Sequence, residues 1–216
     1  FMLLQEAEGY DFRMVYYNSD GTEGTMCGNG GRCLVRFAAD LGIVAGKTNF
    51  IAVDGPHTAL ISQEVISLQM QNVSEISQIN QDHFTNTGSP HYVRFCEDVQ
   101  SYDVRNAGAE IRYSDAFAEQ GGTNVNFVQD LGQNGLFVRT YERGVEDETY
   151  SCGTGVTAAA LCAAEKLGQQ SPIQIQTLGG QLSVSFEGNA QDGFTNIFLT
   201  GPAVNVFEGE ITSKVL

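Results

Sequence analysis

Glu142-Arg143-Gly144-Val145-Glu146-Asp147-Glu148-Thr149-Tyr150-Ser151-Cys152-Gly153-Thr154-Gly155 decides the fold, because an earlier stretch repeats its plan. That stretch is Asn18-Ser19-Asp20-Gly21-Thr22-Glu23-Gly24-Thr25-Met26-Cys27-Gly28-Asn29-Gly30. Each follows a strand-like segment that ends in a polar residue, crosses an acidic loop, and reaches Cys-Gly-x-Gly ahead of a helix. Each helix then stops at a Leu-Gly pair, Leu41-Gly42 and Leu167-Gly168. Agreement in so many features at once marks two copies of one strand–loop–cysteine–helix unit.

Outward from the repeat, apolar residues at helical spacing predict helices over about Gly31–Leu41 and Gly155–Leu167, each stopped by glycine. The second is apolar almost all round (Val156-Thr157-Ala158-Ala159-Ala160-Leu161-Cys162-Ala163-Ala164), the pattern of a helix buried on every side. A weaker helix is expected over Val104–Phe117. The rest reads as short strands between turn signals. These are Phe12–Tyr17, Asn49–Val53, His57–Ile61, Val65–Met70, His91–Phe95, Asn124–Gln129, Leu136–Tyr141, Ile173–Leu178, Gln181–Phe186, Asn196–Thr200 and Val204–Ile211. The fold class is α/β.

A Cys-Gly-x-Gly at a helix start has specific chemistry. The first N–H groups of a helix lack intrahelical partners, and with the helix dipole they form an anion site. Glycines let a ligand approach the backbone. A cysteine placed there is expected to have its thiolate stabilised, below the roughly 8.5 of a free thiol. Cys27 and Cys152 both occupy this setting. Cys33, Cys96 and Cys162 do not, and read as small apolar packing residues. Two equivalent thiols facing a common cleft suit a two-base inversion, in which one thiolate removes a proton and the other thiol delivers one to the opposite face. The carbanion would be stabilised through its own carboxylate, held at the helix N-termini.

Composition narrows the partners. With 11 Lys and Arg against 26 acids and a formal charge of −15, neither nucleic acid nor an anionic membrane surface is a partner for this chain. No apolar run reaches the roughly 18–20 residues that cross a bilayer. The start, Phe1-Met2-Leu3-Leu4-Gln5-Glu6, lacks the basic and longer apolar regions of a signal peptide. Five cysteines without a CxxC pair argue against a disulfide framework and for a reducing compartment, so a cytoplasmic location is expected. Three scattered histidines, His57, His83 and His91, give no metal-binding pattern.

Met26-Cys27-Gly28-Asn29-Gly30-Gly31-Arg32-Cys33 closely resembles the first cysteine motif of the diaminopimelate epimerase family. Tyr141-Glu142-Arg143-Gly144 followed by Ser151-Cys152-Gly153-Thr154-Gly155 resembles the second. Tyr17-Asn18-Ser19-Asp20-Gly21, Gly88-Ser89-Pro90-His91 and Thr123-Asn124-Val125-Asn126-Phe127 also look like family segments, in the family order. The resemblance implies a duplicated architecture, each domain a curved mixed sheet around a central helix. It implies Cys27 and Cys152 as the acid and base, with His91 and Glu142 beside them. It implies substrate contacts from Asn18, Gly28, Asn29, Asn124, Glu142, Arg143, Gly153 and Thr154, and more weakly from Ser89, where the family commonly has Asn. The implied substrate is a small amino acid, LL-diaminopimelate converted to the meso form. No cofactor is called for, and the implied assembly is a homodimer.

The expected division is 1–74 plus 204–216 for the first domain, with the terminal strand returning to it, and 75–203 for the second. The family's opening His-Gly-x-Gly-Asn-Asp-Phe-like segment, with its substrate-binding asparagine, has no counterpart in these 216 residues, so the first sheet is expected to lack strands. Rival readings are a proline or hydroxyproline racemase of the same superfamily, a non-catalytic truncated homologue, and a thiol redox protein. Asn29 and Glu142-Arg143-Gly144 favour the epimerase, because Arg binds a second carboxylate bidentately.

Overall fold

Each Cys-Gly-x-Gly segment opens a helix, in a computed structural model that describes residues 1–17, 21–24 and 26–209. Cys27 and Cys152 are the N-caps, with nearly identical extended backbones (φ −108°, ψ 117° and φ −107°, ψ 115°). The Leu-Gly stops also match: Gly42 and Gly168 take left-handed φ values of +71° and +68°, which suit a residue without Cβ.

In chain order the elements are β1 (Met2–Gln5), β2 (Phe12–Tyr16), α1 (Gly28–Asp40), β3 (Lys47–Ala52), β4 (Gly55–Ser62) and β5 (Val65–Gln69). Then come β6 (Ile76–Ile79), β7 (Asp82–Asn86), β8 (Pro90–Phe95), α2 (Val104–Arg112), β9 (Asn124–Asp130), β10 (Leu136–Glu142) and β11 (Asp147–Thr149). The last are α3 (Gly153–Leu167), β12 (Ile173–Thr177), β13 (Gly180–Asn189) and β14 (Gly193–Pro202).

Pairing joins the strands into one sheet, in the order β1-β2-β3-β4-β5-β14-β13-β12-β10-β9-β8-β7-β6, with β11 on β10. The duplication is visible in this order. β2 runs through Cys27 and α1 into the parallel strand β3, and β10 runs through Cys152 and α3 into the parallel strand β12. Antiparallel hairpins follow in both copies, β3-β4-β5 and β12-β13-β14. The two copies join where β5 pairs antiparallel with β14, Leu68 opposite Leu199.

The sheet curls around the helices because their apolar faces must leave water. α3 is buried along most of its length, from Gly153 to Ala163, as its all-round apolarity predicts. Its Val156 and Leu161 share one core with Ile175, Val184, Ile197 and Leu199 of the surrounding strands. α1 buries Leu34, Val35 and Ala38 against Phe12, Phe50 and Leu68 in a second, and leaves Phe37 and Leu41 exposed. α2 covers the other face of β9 and β10 through Tyr92, Val104, Phe127 and Tyr141.

Three expectations change. The helix over Val104–Phe117 is two pieces: α2 ends at Arg112, and an extended Ser114 starts a separate 3-10 turn, Asp115–Gln120. The strand expected from Val204 is absent over the described residues 204–209, and Ile211 lies outside them. Instead β14 continues through Gly201 to Pro202, which is possible because proline sits at the strand's last position, where a missing N–H does least harm. Strands β1, β6, β7 and β11 were not anticipated; they are short and, apart from β1, rich in polar residues.

Candidate active site

β10 ends at Glu142 with Arg143 directly after it, and Cys27-Gly28-Asn29 and Cys152-Gly153-Thr154 cap and open α1 and α3. All of these residues line one cavity of about 710 Å3. Ser89, from the turn before β8, and Asn124, from the start of β9, complete that wall. Asn18 lies outside the described residues. The two helix starts are tied together: Asn29 Nδ2 donates to the Ser151 carbonyl across 2.7 Å. Behind it, Arg32 is buried and donates to Asn29 Oδ1 at 3.0 Å, so the amide cannot turn away.

The cysteines are not equivalent in setting. Cys27 is half-buried, and its Sγ accepts from Gly30 N at 3.4 Å. Cys152 is buried, with no cap bond to its sulfur, and its Sγ meets the Thr154 hydroxyl at 3.5 Å. Burial pushes the Cys152 thiol up to about 12, helped by the nearby Glu142 carboxylate. The thiolate-stabilising expectation therefore reverses at Cys152: loss of water outweighs the helix start. Burial also raises Glu142 above the usual carboxylate range, with Thr149 partly offsetting it.

His91 is fully buried and lies behind the cavity wall rather than on it. Its Nε2 lies 2.9 Å from Thr154 Oγ1 and 2.9 Å from Ser89 Oγ. Its contact with Cys152 therefore runs through the Thr154 hydroxyl. Desolvation, with the Arg143 guanidinium adding to it, holds the imidazole neutral, at about 3. The Asn124 side chain clamps the wall: Nδ2 donates to the Pro90 carbonyl at 2.9 Å, and Oδ1 accepts from Arg143 N at 2.9 Å. The Arg143 guanidinium reaches the Gln120 and Gly122 carbonyls at 3.4 Å each, and no carboxylate among the described residues pairs with it.

Some wall residues carried no signal in the sequence. Tyr16 lines the cavity near Cys27 and Glu142, and burial raises its hydroxyl above the usual range. His57 also lines it, with Nε2 2.9 Å from Asp54 Oδ1. In the sequence Asp54-Gly55-Pro56-His57 is legible only as a turn. Among the described residues there is no cluster of His, Cys, Asp and Glu able to hold a metal ion. No helix there is long and apolar enough to cross a membrane.

The family model for diaminopimelate epimerase matches residues 1–71 and 83–206. A diaminopimelate epimerase of Flavobacterium psychrophilum is 53% identical over 214 residues, covering 97% of this chain and 82% of the relative. Another, from Aquifex aeolicus, is 39% identical over 218 residues, covering 95% and 76%. Among solved structures, a Bacillus anthracis phenazine biosynthesis protein of the PhzF family superposes with a TM-score of 0.79 at 11% identity, covering 98% and 84%. A probable proline racemase of Agrobacterium radiobacter gives 0.67 at 16% identity, covering 93% and 72%. At these identities the structural matches speak to the fold.

Proposed function

The chain belongs to the diaminopimelate epimerase family, and we propose that it inverts the α-carbon of diaminopimelate with Cys27 and Cys152 as the two proton-transfer groups. One observation carries this reading. Both cysteines cap helices with the same backbone geometry, and both helix starts open into one cavity.

The α-carboxylate fits the first-turn N–H groups of Gly28, Asn29, Gly153 and Thr154, which have no intrahelical acceptors. With the carboxylate there, the α-carbon stands between the two sulfurs. A thiolate on one side takes the α-proton, and the electron pair left on carbon spreads into the carboxylate, where the helix dipoles stabilise it. The thiol on the other side then gives its proton to the opposite face. The substrate leaves inverted, and the enzyme's proton has moved from one sulfur to the other. Burial favours the protonated form of Cys152, which suits it to deliver a proton in one direction of the reaction. The reverse direction exchanges the roles of the two cysteines.

Glu142 stands beside the cysteines, close enough to act on Cys152, and assists them, while the Arg143 guanidinium at the cavity wall fits the distal end of the substrate and binds its second carboxylate. His91 assists through Thr154, while Ser89 and Asn124 complete the substrate wall. We extend the reading to a cytoplasmic homodimer that uses no cofactor, and to domains at 1–74 plus 204–216 and 75–203. Unpaired thiols suit a reducing compartment. The direct test is exchange of the α-proton with solvent deuterium. Diaminopimelate should exchange and proline should not; exchange on proline alone would move the chain to another activity.

A further inference from the structure

Asn126, the third residue of β9, is fully buried beneath the cavity wall, and its contacts fix more than its own position. Its Nδ2 lies 2.9 Å from the Tyr92 carbonyl and 3.1 Å from His91 Nδ1. Its Oδ1 accepts from Thr140 Oγ1 at 3.0 Å. A peptide carbonyl can only accept, so the amide atom facing Tyr92 must be the NH2, which settles the orientation of the side chain. The second hydrogen of that NH2 points at His91 Nδ1. This nitrogen must therefore carry the lone pair, and in a neutral ring the proton sits on Nε2. Nε2 faces both Thr154 Oγ1 and Ser89 Oγ, at 2.9 Å each, so with the proton on Nε2 neither hydroxyl has to donate to the ring, and the Thr154 hydrogen can point at Cys152 Sγ, 3.5 Å away.

We propose that Asn126 is a positioning residue that locks His91 as the Nε2–H tautomer, so that the Thr154 hydroxyl donates to the Cys152 sulfur and stabilises its thiolate when it forms. The second glycine of Cys-Gly-Thr-Gly belongs to the same device. A Cβ on Gly155 would stand 2.4 Å from Asn126 Oδ1, so only glycine leaves room for the amide. The role assigned to Cys152 rests on the epimerase reading; the tautomer does not.

The test is 15N NMR of protein labelled in its histidine rings, with His91 assigned by its absence from His91→Gln. In the unmodified protein Nδ1 should give a pyridine-type shift and Nε2 a pyrrole-type shift at neutral pH. Asn126→Asp places an acceptor opposite Nδ1 and should move the proton to that nitrogen. The Thr154 hydroxyl should then turn to Nε2 and away from Cys152. The kcat for epimerisation should fall on the order of 100-fold, with KM held within about twofold. Asn126→Ala, which offers neither donor nor acceptor, should give mixed tautomers and serves if the Asp variant does not fold. A proton on Nδ1 in the unmodified protein overturns the proposal, as does an unchanged tautomer in both variants. The expected shifts in an enzyme that exchanged no α-proton would leave Asn126's role in place and remove the epimerase reading instead.

Discussion

Gly28 and Gly153, the first residues of α1 and α3, meet backbone to backbone: a Cβ on Gly153 would stand 3.2 Å from the Gly28 Cα and 3.0 Å from Leu199 Cδ2. The Leu199 methyl is the end of a flexible side chain and can move. The Gly28 backbone belongs to the other cysteine's helix. Gly153→Ala is therefore expected to push the two helix starts apart by a few tenths of an ångström while leaving the cores intact. Reaction geometry is sensitive on that scale, so kcat/KM should fall about tenfold or more. Thermal unfolding should shift by only a few degrees. Steady-state kinetics beside a thermal melt checks both, and a variant that kept full activity would show that the spacing is not critical.

The cysteines divide into two groups by position. Cys27 and Cys152 line the cavity; Cys33 is exposed on α1, and Cys96 follows β8 outside the site. Cys27→Ser and Cys152→Ser should each nearly abolish α-proton exchange, because a serine hydroxyl is far too weak an acid for either step. Cys33→Ala and Cys96→Ala should exchange at close to the normal rate. Normal turnover by Cys152→Ser would rule out the two-thiol mechanism.

The repeat was legible because its parts are local. An N-cap cysteine, two glycines and a Leu-Gly stop act over a dozen residues, and both copies were found within a few residues of their observed bounds. The assembly of the copies was not legible. Nothing local in β5 or β14 says that Leu68 will lie opposite Leu199, since that pairing depends on sheet-wide register. The site divides the same way. The motif residues at Cys27, Glu142 and Cys152 declare themselves, whereas Tyr16 and His57 reach the cavity only because β2 and the β3–β4 turn fold against it. Asn126 lies in the same Thr123–Phe127 segment as Asn124, with nothing local to mark it as part of the site. A polar residue in an otherwise apolar buried strand demands a partner, and that was the available signal. Burial at Cys152 was the deeper miss, because a helix start fixes the dipole but not the access of water.

Arg143 tests specificity. Its guanidinium is at the cavity wall, held by the Gln120 and Gly122 carbonyls with no carboxylate partner among the described residues. A planar fork can bind a carboxylate through two parallel hydrogen bonds, and a lysine ammonium cannot. Arg143→Lys should raise KM for diaminopimelate about tenfold or more, with a smaller effect on kcat if the contact is made equally in the ground and transition states. A KM unchanged from the parent would place the distal carboxylate elsewhere.

Stability against pH follows from the two buried groups beside the cavity. His91 is held neutral, at about 3, below its ordinary 6.5. As pH falls through 6.5, the unfolded chain takes up a proton that the folded protein refuses, so stability drops between about pH 6.5 and 3. A full proton of difference corresponds to a slope of about 1.4 kcal/mol per pH unit. Cys152 has the opposite sign: its thiol is pushed up to about 12 from 9.0, so the folded state keeps a proton that the unfolded state releases. Stability then declines as pH rises from about 9 towards 12. Burial raises Cys162, inside α3, in the same direction. Urea titrations across this range should give a plateau near pH 7–9 with both limbs falling. His91→Gln should flatten the acid limb, and Cys162→Ala the alkaline one, each relative to the parent at the same pH. An acid limb equally steep in His91→Gln would mean that the imidazole already takes its proton in the folded protein. That result would remove the neutral His91 on which the relay through Thr154 to Cys152 depends.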